Sequence, residues 1–169
     1  MYLLDTNIYI NFYDRYYPIN HFATFWEKFI PILQNQIMIP DVVVRENMHN
    51  PWFKNDLLAN NYQKDFIDHR NYQEEWVAVL NYIANSDVYS DKALIGDRAW
   101  TNENIADGWL IAIAKKENCT IVSDELPNPN LNSLHKSKNP KVPDVAKADP
   151  FNVRCINMLQ FFDEVNLKV

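Results

Sequence analysis

Met1-Tyr2-Leu3-Leu4-Asp5-Thr6-Asn7 is the stretch whose reading decides the fold. The apolar run Tyr2 to Leu4 ends at a carboxylate and two small polar residues, the pattern of a buried parallel strand reaching the edge of its sheet. In an open α/β sheet the ligand crevice lies outside the carboxyl ends of the strands, so an acid at that exit can meet acids from later elements. Asp5 alone also has a plainer reading, as the N-cap of the helix that follows.

Outward from Asp5, the chain repeats this arrangement. His21 to Leu33 carries Phe22, Phe25, Trp26, Phe29, Ile30 and Leu33 at helical spacing, a stripe read as core. Gln36 to Pro40 is a second strand, after which Asp41 can cap a helix that carries Glu46 about one turn in, level with Asp5. Glu46-x-x-His49 shares the spacing of di-iron bundles, but no second copy exists, so His49 is read as a surface or capping residue. Residues 51–100 read as a helical insertion, firm only over Tyr72 to Ala84, with a polar, irregular stretch from Ser86 to Asn104. From Ile105 to Asn118 a helix with Ala106, Leu110, Ile113 and Ala114 on its buried ridge places Asp107 in its first turn, where an acid also compensates the helix dipole. Cys119 to Val122 is then a strand ending in Ser123, Asp124 and Glu125.

Residues 126–150 hold five of the nine prolines and little apolar periodicity, so they read as a long loop. Its lysines, Lys136, Lys138, Lys141 and Lys147, outnumber its acids, Asp144 and Asp149, which offers local positive surface for an anionic substrate. Val153 to Ile156 is a last short strand and Asn157 to Glu164 a closing helix.

The 169 residues, 47% hydrophobic and 14% aromatic, suffice for one domain with a substantial core. Only Gly96 and Gly108 are glycines, which excludes the glycine-rich phosphate loops of nucleotide-binding folds. A net charge of -6 weighs against a passive binder of nucleic acid, so such a substrate would need a local basic surface or metal ions. Cys119 and Cys155 sit in apolar runs and read as reduced, buried thiols. No stretch reaches the length of a membrane span and no leader pattern precedes the first strand, so a cytoplasmic protein is expected.

Asp5, Glu46, Asp107 and Glu125, with Asp124 beside it, therefore occupy equivalent places at the ends of strands. Carboxylates gathered in one crevice repel, and the usual remedies are raised pKa values or a bound divalent cation. Hard oxygen donors without organised His or Cys favour Mg²⁺ or Mn²⁺. Such an ion polarises a phosphoryl oxygen and acidifies bound water, the chemistry of phosphodiester hydrolysis.

Leu3-Leu4-Asp5-Thr6-Asn7 resembles the opening motif of PIN-domain nucleases, Val44-Arg45-Glu46 their second acid, and Ala106-Asp107-Gly108-Trp109-Leu110-Ile111-Ala112 their third. Thr120-Ile121-Val122-Ser123-Asp124-Glu125 is similar to the strand that usually ends Thr-x-Asp, with Ser123 at the hydroxyl position, leaving the fourth ligand between Glu125 and Asp124. Lys141-Val142-Pro143-Asp144-Val145 also resembles a segment of a VapC-like toxin branch of that family. The resemblance spans nearly the whole chain. It implies a three-layer α/β/α sandwich around a mostly parallel sheet, and a metal-dependent endoribonuclease acting on RNA as the toxin of a toxin–antitoxin pair. A protein antitoxin and a homodimer are the partners it suggests. In it Asp5, Glu46, Asp107 and Glu125 would hold Mg²⁺ or Mn²⁺ and activate water, while Asn7 and Ser123 orient ligands or solvent.

Two other readings compete. One is a PIN-like module that binds RNA or protein without catalysis, its acids kept as caps and ion pairs. The other is a haloacid-dehalogenase-like phosphatase, which requires a second acid two residues after the first, where this chain has Asn7.

Overall fold

Four short strands fix where everything else can go. In the computed structural model, which describes residues 1–168, they are Tyr2–Leu4 (β1), Ile37–Met38 (β2), Thr120–Val122 (β3) and Cys155–Ile156 (β4). All pair in parallel in the order β2-β1-β3-β4, with Tyr2 opposite both Ile37 and Thr120 and Val122 opposite Ile156. From β1 the chain moves outward to β2, then crosses back over β1 to build β3 and β4 on the other side. The reversal lies between β1 and β3, and a crevice opens at such a point outside the carboxyl ends of the strands. Asp5 and Ser123 emerge there, joined to the ends of β3 and β4 by Asp5 N–H to Val122 O and Ser123 N–H to Ile156 O, both 2.9 Å.

Helices cover both faces of the sheet. Thr6–Ile10 (α1) runs into a wider π-type segment, Asn11–Tyr16, and is followed by Ala23–Gln36 (α2). Asp41–Glu46 (α3) follows β2, then a π-type segment Phe53–Leu58 leads into the single turn Ala59–Asn61 (α4). Gln73–Asn85 (α5) and Ala106–Glu117 (α6) form the long crossover, Val142–Ala146 (α7) precedes β4, and Met158–Glu164 (α8) follows it. On one face the aromatic stripe of α2 packs as expected: Phe12 lies 5.1 Å from Phe25 and 5.6 Å from Phe162, centroid to centroid. On the other, Trp76 of α5 stacks on Trp109 of α6 at 4.3 Å. Gly108 permits that approach, since a Cβ there would sit 3.1 Å from Trp76 Nε1. The result is an α/β/α sandwich with an all-parallel sheet, and one contiguous apolar core runs from Leu3 to Leu167.

The connecting segments depart from the sequence reading. The strands are shorter than their apolar runs: Ile39 is buried, but its N–H turns to the Tyr62 hydroxyl at 3.3 Å. Little of 51–69 is helix beyond the short π-type and α4 turns. Ile67 instead bridges Pro40 in parallel, its N–H donating to Ile39 O at 3.0 Å. The stretch 126–150 contains α7, whose Val142, Val145 and Ala146 are fully buried. Five residues are too few to show a helical period, which is why proline content dominated the reading there. Asn118, at φ 53°, ends α6 in the left-handed conformation as its sequence position suggested. Both cysteines are free thiols, Cys119 buried and Cys155 half-buried. No described helix is long and apolar enough to cross a membrane.

Candidate active site

Outside the carboxyl ends of β1 and β3 lies a cavity of about 770 Å³ whose lining includes Asp5, Glu46, Asp107 and Glu125. Four carboxylates from four separate segments thus share one space. Asp5 is 4% exposed and occupies the N-cap position of α1, but its side chain makes no capping hydrogen bond. Its Oδ2 accepts instead from the Ser123 hydroxyl at 2.8 Å. Ser123 is thus the partner in hydrogen-bond contact; the Asn7 backbone amide of the first turn is close enough to favour the charged form of Asp5, so capping is a weaker, secondary role.

Glu46 lies about one turn into α3, as read from the sequence, and is also its last residue because this helix has only six residues. The fully buried Asn47 holds that end, its amide donating to Val43 O at 2.9 Å while Tyr13 OH donates to Asn47 Oδ1 at 2.9 Å. Glu46 then reaches two helix starts: Oε1 accepts from Ala106 N–H at 3.0 Å and Oε2 from the Thr6 hydroxyl. Glu125 is anchored in the same manner, with Oε2 accepting from Val142 N–H at 2.7 Å and Oε1 from Lys141 Nζ at 2.7 Å. Both glutamates thus satisfy amides that open helices, α6 and α7 respectively.

Among the described residues, Asp5 and Asp107 have no cationic partner such as Lys141 gives Glu125. Burial pushes Asp5 up to about 6; the Ser123 hydroxyl and the nearby Asn7 amide pull it down, and Glu125 and Glu46 push it further up. Burial likewise pushes Asp107 up to about 8, with Asp5, Glu125 and Glu46 adding to the rise and the Trp100 side chain opposing it. This is the signature of acids held together without their counter-charge.

Asp124 points elsewhere. It accepts from Met158 N–H at 2.9 Å and Asn11 Nδ2 at 3.2 Å, fastening the start of α8 to the α1 side of the molecule. Between the two candidates for the fourth acid, Glu125 is the one that lines the cavity. Asn7 lines the cavity too, whereas Ser123 contributes through Asp5 and through Glu125, whose N–H donates to Ser123 Oγ at 3.2 Å. Of the loop lysines, Lys138 and Lys141 line the cavity and Lys136 is exposed away from it.

Several lining residues carried no sequence signal. Lys92, Arg98 and Trp100 fall in the stretch read as polar and irregular. His49 is exposed at the wall, with Glu46 O 3.2 Å from its Nδ1. A charge in an irregular segment can only be assigned to a site once tertiary structure places it, so no local pattern could have found Lys92 or Arg98.

The donor set suits a hard divalent cation: all-oxygen, anionic, buried and uncompensated at Asp5 and Asp107. Among the described residues, however, the group whose potential ligand atoms all lie within 4.8 Å of one another is a different one, Asp41, Asp68 and His69. Asp41 is not the N-cap of α3 but its first residue, and Oδ1 lies 2.5 Å from His69 Nδ1 while Oδ2 lies 2.5 Å from Arg45. Asp68 caps the following turn through Arg70 N–H at 3.1 Å and pairs with the Arg70 guanidinium. Protein partners already serve that cluster.

No curated protein and no solved structure matches the chain. A family model described as a domain of unknown function, DUF4411, matches residues 2–169. The chain belongs to that DUF4411 family.

Proposed function

We propose that this protein is a divalent-metal-dependent ribonuclease that hydrolyses RNA phosphodiesters, with Asp5, Glu46, Asp107 and Glu125 holding Mg²⁺ or Mn²⁺. The observation that carries the proposal is the burial of Asp5 and Asp107 in one cavity without a cationic partner, at the switch point of a parallel sheet. When bound, the cation supplies a polarised phosphoryl oxygen and an acidified water. Asp5 and Asp107 bring the unbalanced negative charge. Glu46 and Glu125 are held on the amides that open α6 and α7, and Ser123 keeps Asp5 oriented through its hydroxyl. Asn7, exposed on the rim, is placed to orient solvent or substrate.

The choice of RNA, the toxin role, a protein antitoxin, a homodimer and a cytoplasmic location rest on the PIN-like motifs around these four acids. A second reading, a binding module without catalysis, is favoured by one observation: Glu46 and Glu125 already act as helix-terminal anchors. Incubation of purified protein with a mixed single-stranded RNA pool in EDTA, Mg²⁺ or Mn²⁺ separates the two. The nuclease reading expects metal-dependent cutting that Asp5→Asn abolishes and Glu125→Gln weakens. Intact RNA in every metal, from folded protein free of inhibitor, would leave the binding module.

A further inference from the structure

We infer that Lys92, Arg98 and Lys138 form a phosphate-binding wall that holds the backbone of a single-stranded polynucleotide across the acidic cavity. This rests on the nuclease reading and names residues that its acids do not include. All three are exposed, and all three line the cavity that holds the four carboxylates. Among the described residues none of them takes part in an ion pair, whereas Lys141, which lines the same space, is committed to Glu125 at 2.7 Å. Three unpartnered cations facing a cavity in a chain of net charge -6 are the feature that a general solubilising role does not account for.

The wall is assembled from two segments far apart in sequence. Tyr89 and Ser137 form a parallel bridge, with Ser90 N–H donating to Ser137 O and Ser137 N–H to Val88 O, both at 2.9 Å. That bridge sets Lys138 one residue from the suture and Lys92 two residues from Ser90. Arg98 follows the turn at Gly96, which has φ 116°, a conformation that glycine adopts without strain. The bridge thereby joins the segment that carries Lys92 to the one that carries Lys138 on the cavity's rim.

A phosphodiester brought to the acids would leave its neighbouring phosphates over this wall. Lys and Arg meeting phosphates is the recurrent chemistry of backbone binding, and it carries no base preference. The acids lie recessed at the sheet edge, Asp5 being buried, so a strand whose backbone can bend into the cavity reaches them more readily than a stiff duplex.

The experiment is fluorescence anisotropy of a labelled decauridylate in Ca²⁺, titrated with salt, for the full chain and for a K92A/R98A/K138A variant. K54A, at an exposed lysine outside the cavity, serves as the control. Each lost phosphate contact removes about 0.7 from the log–log salt slope for a single strand, so the triple variant is expected to have a slope shallower by about 2. Its affinity is expected to fall roughly a hundredfold at ~0.1 M salt, and K54A to match the parent. A triple variant with the parent slope and affinity overturns the wall, as does a parent protein with no salt-dependent binding. The outcome is separable from cleavage: RNA cutting with an unchanged slope removes the wall and keeps the nuclease, and a changed slope without cutting does the reverse.

Discussion

Asp41, Asp68 and His69 lie closer together than the acids of the cavity do, yet the cavity is the better candidate for a metal. In the first cluster every acid has a partner. Burial acts to raise Asp41, but two hydrogen bonds from His69 and the charge of Arg45 outweigh it and hold the carboxyl below its usual range. In the second, burial and mutual repulsion raise Asp5 and Asp107, and only hydroxyl, amide and indole groups oppose them. Proximity of ligand atoms therefore picks out a satisfied ion-pair cluster here, and unsatisfied charge picks out the candidate site.

That contrast can be broken most sharply through activity. Asp5→Asn or Asp107→Asn is expected to lower metal-dependent RNA cleavage roughly a hundred- to a thousandfold, the usual cost of losing a group that stabilises charge in a transition state. Asp41→Asn should leave the rate within about twofold. Equal losses in both clusters would show that the variants act through folding.

Stability should move in opposite directions in the two clusters. Asp107, at about 8 in the folded chain against an ordinary 3.8, keeps a proton that the unfolded chain releases. Its burial thus weakens folding progressively as pH rises between those values, and has no effect below them, where both states are protonated. Without divalent cations, Asp107→Asn should raise the melting temperature at pH ~8 by roughly 5–10 °C, equivalent to a few kcal/mol, with the gain vanishing near pH ~4. Asp41→Asn should lower it by roughly 3–8 °C, because buried His69 loses its carboxylate. Thermal scans over that pH range read both, and a drop for Asp107→Asn at pH ~8 would contradict the claim that its charge is uncompensated.

The smallest effect distinguishes the two adjacent acids after β3. Asp124→Asn should cost about 1 kcal/mol, roughly 2–4 °C, through the start of α8, and leave cleavage intact. Glu125→Gln should weaken Mn²⁺ binding measured by calorimetry. Reversal of the two phenotypes would make Asp124 the fourth acid.

Much of this was legible because it is local. The run Tyr2 to Leu4 ending in Asp5, the ridge of Ala106, Leu110, Ile113 and Ala114, and the stop at Asn118 each follow from a few neighbouring residues. The four acids were legible because strand ends in a parallel sheet share one edge. What escaped depends on partners distant in sequence. Asp41 resembles a cap until His69 arrives from 28 positions away. Glu125 and Asp124 differ only by which way each side chain turns, one toward Lys141 and one toward Met158. Lys92 and Arg98 sit in a segment with no period, and only the bridge between Tyr89 and Ser137 brings it beside the loop that carries Lys138.

The most direct test of the central claim is the shift in melting temperature produced by Mn²⁺ at pH ~8 in the parent, Asp107→Asn and Asp41→Asn proteins. A ligand that binds only the folded state stabilises it in proportion to the logarithm of its saturation. The expected result is a rise of several degrees in the parent, most of it lost in Asp107→Asn and kept in Asp41→Asn. A rise that survives in Asp107→Asn and disappears in Asp41→Asn would place the metal at the His69 cluster and contradict the account.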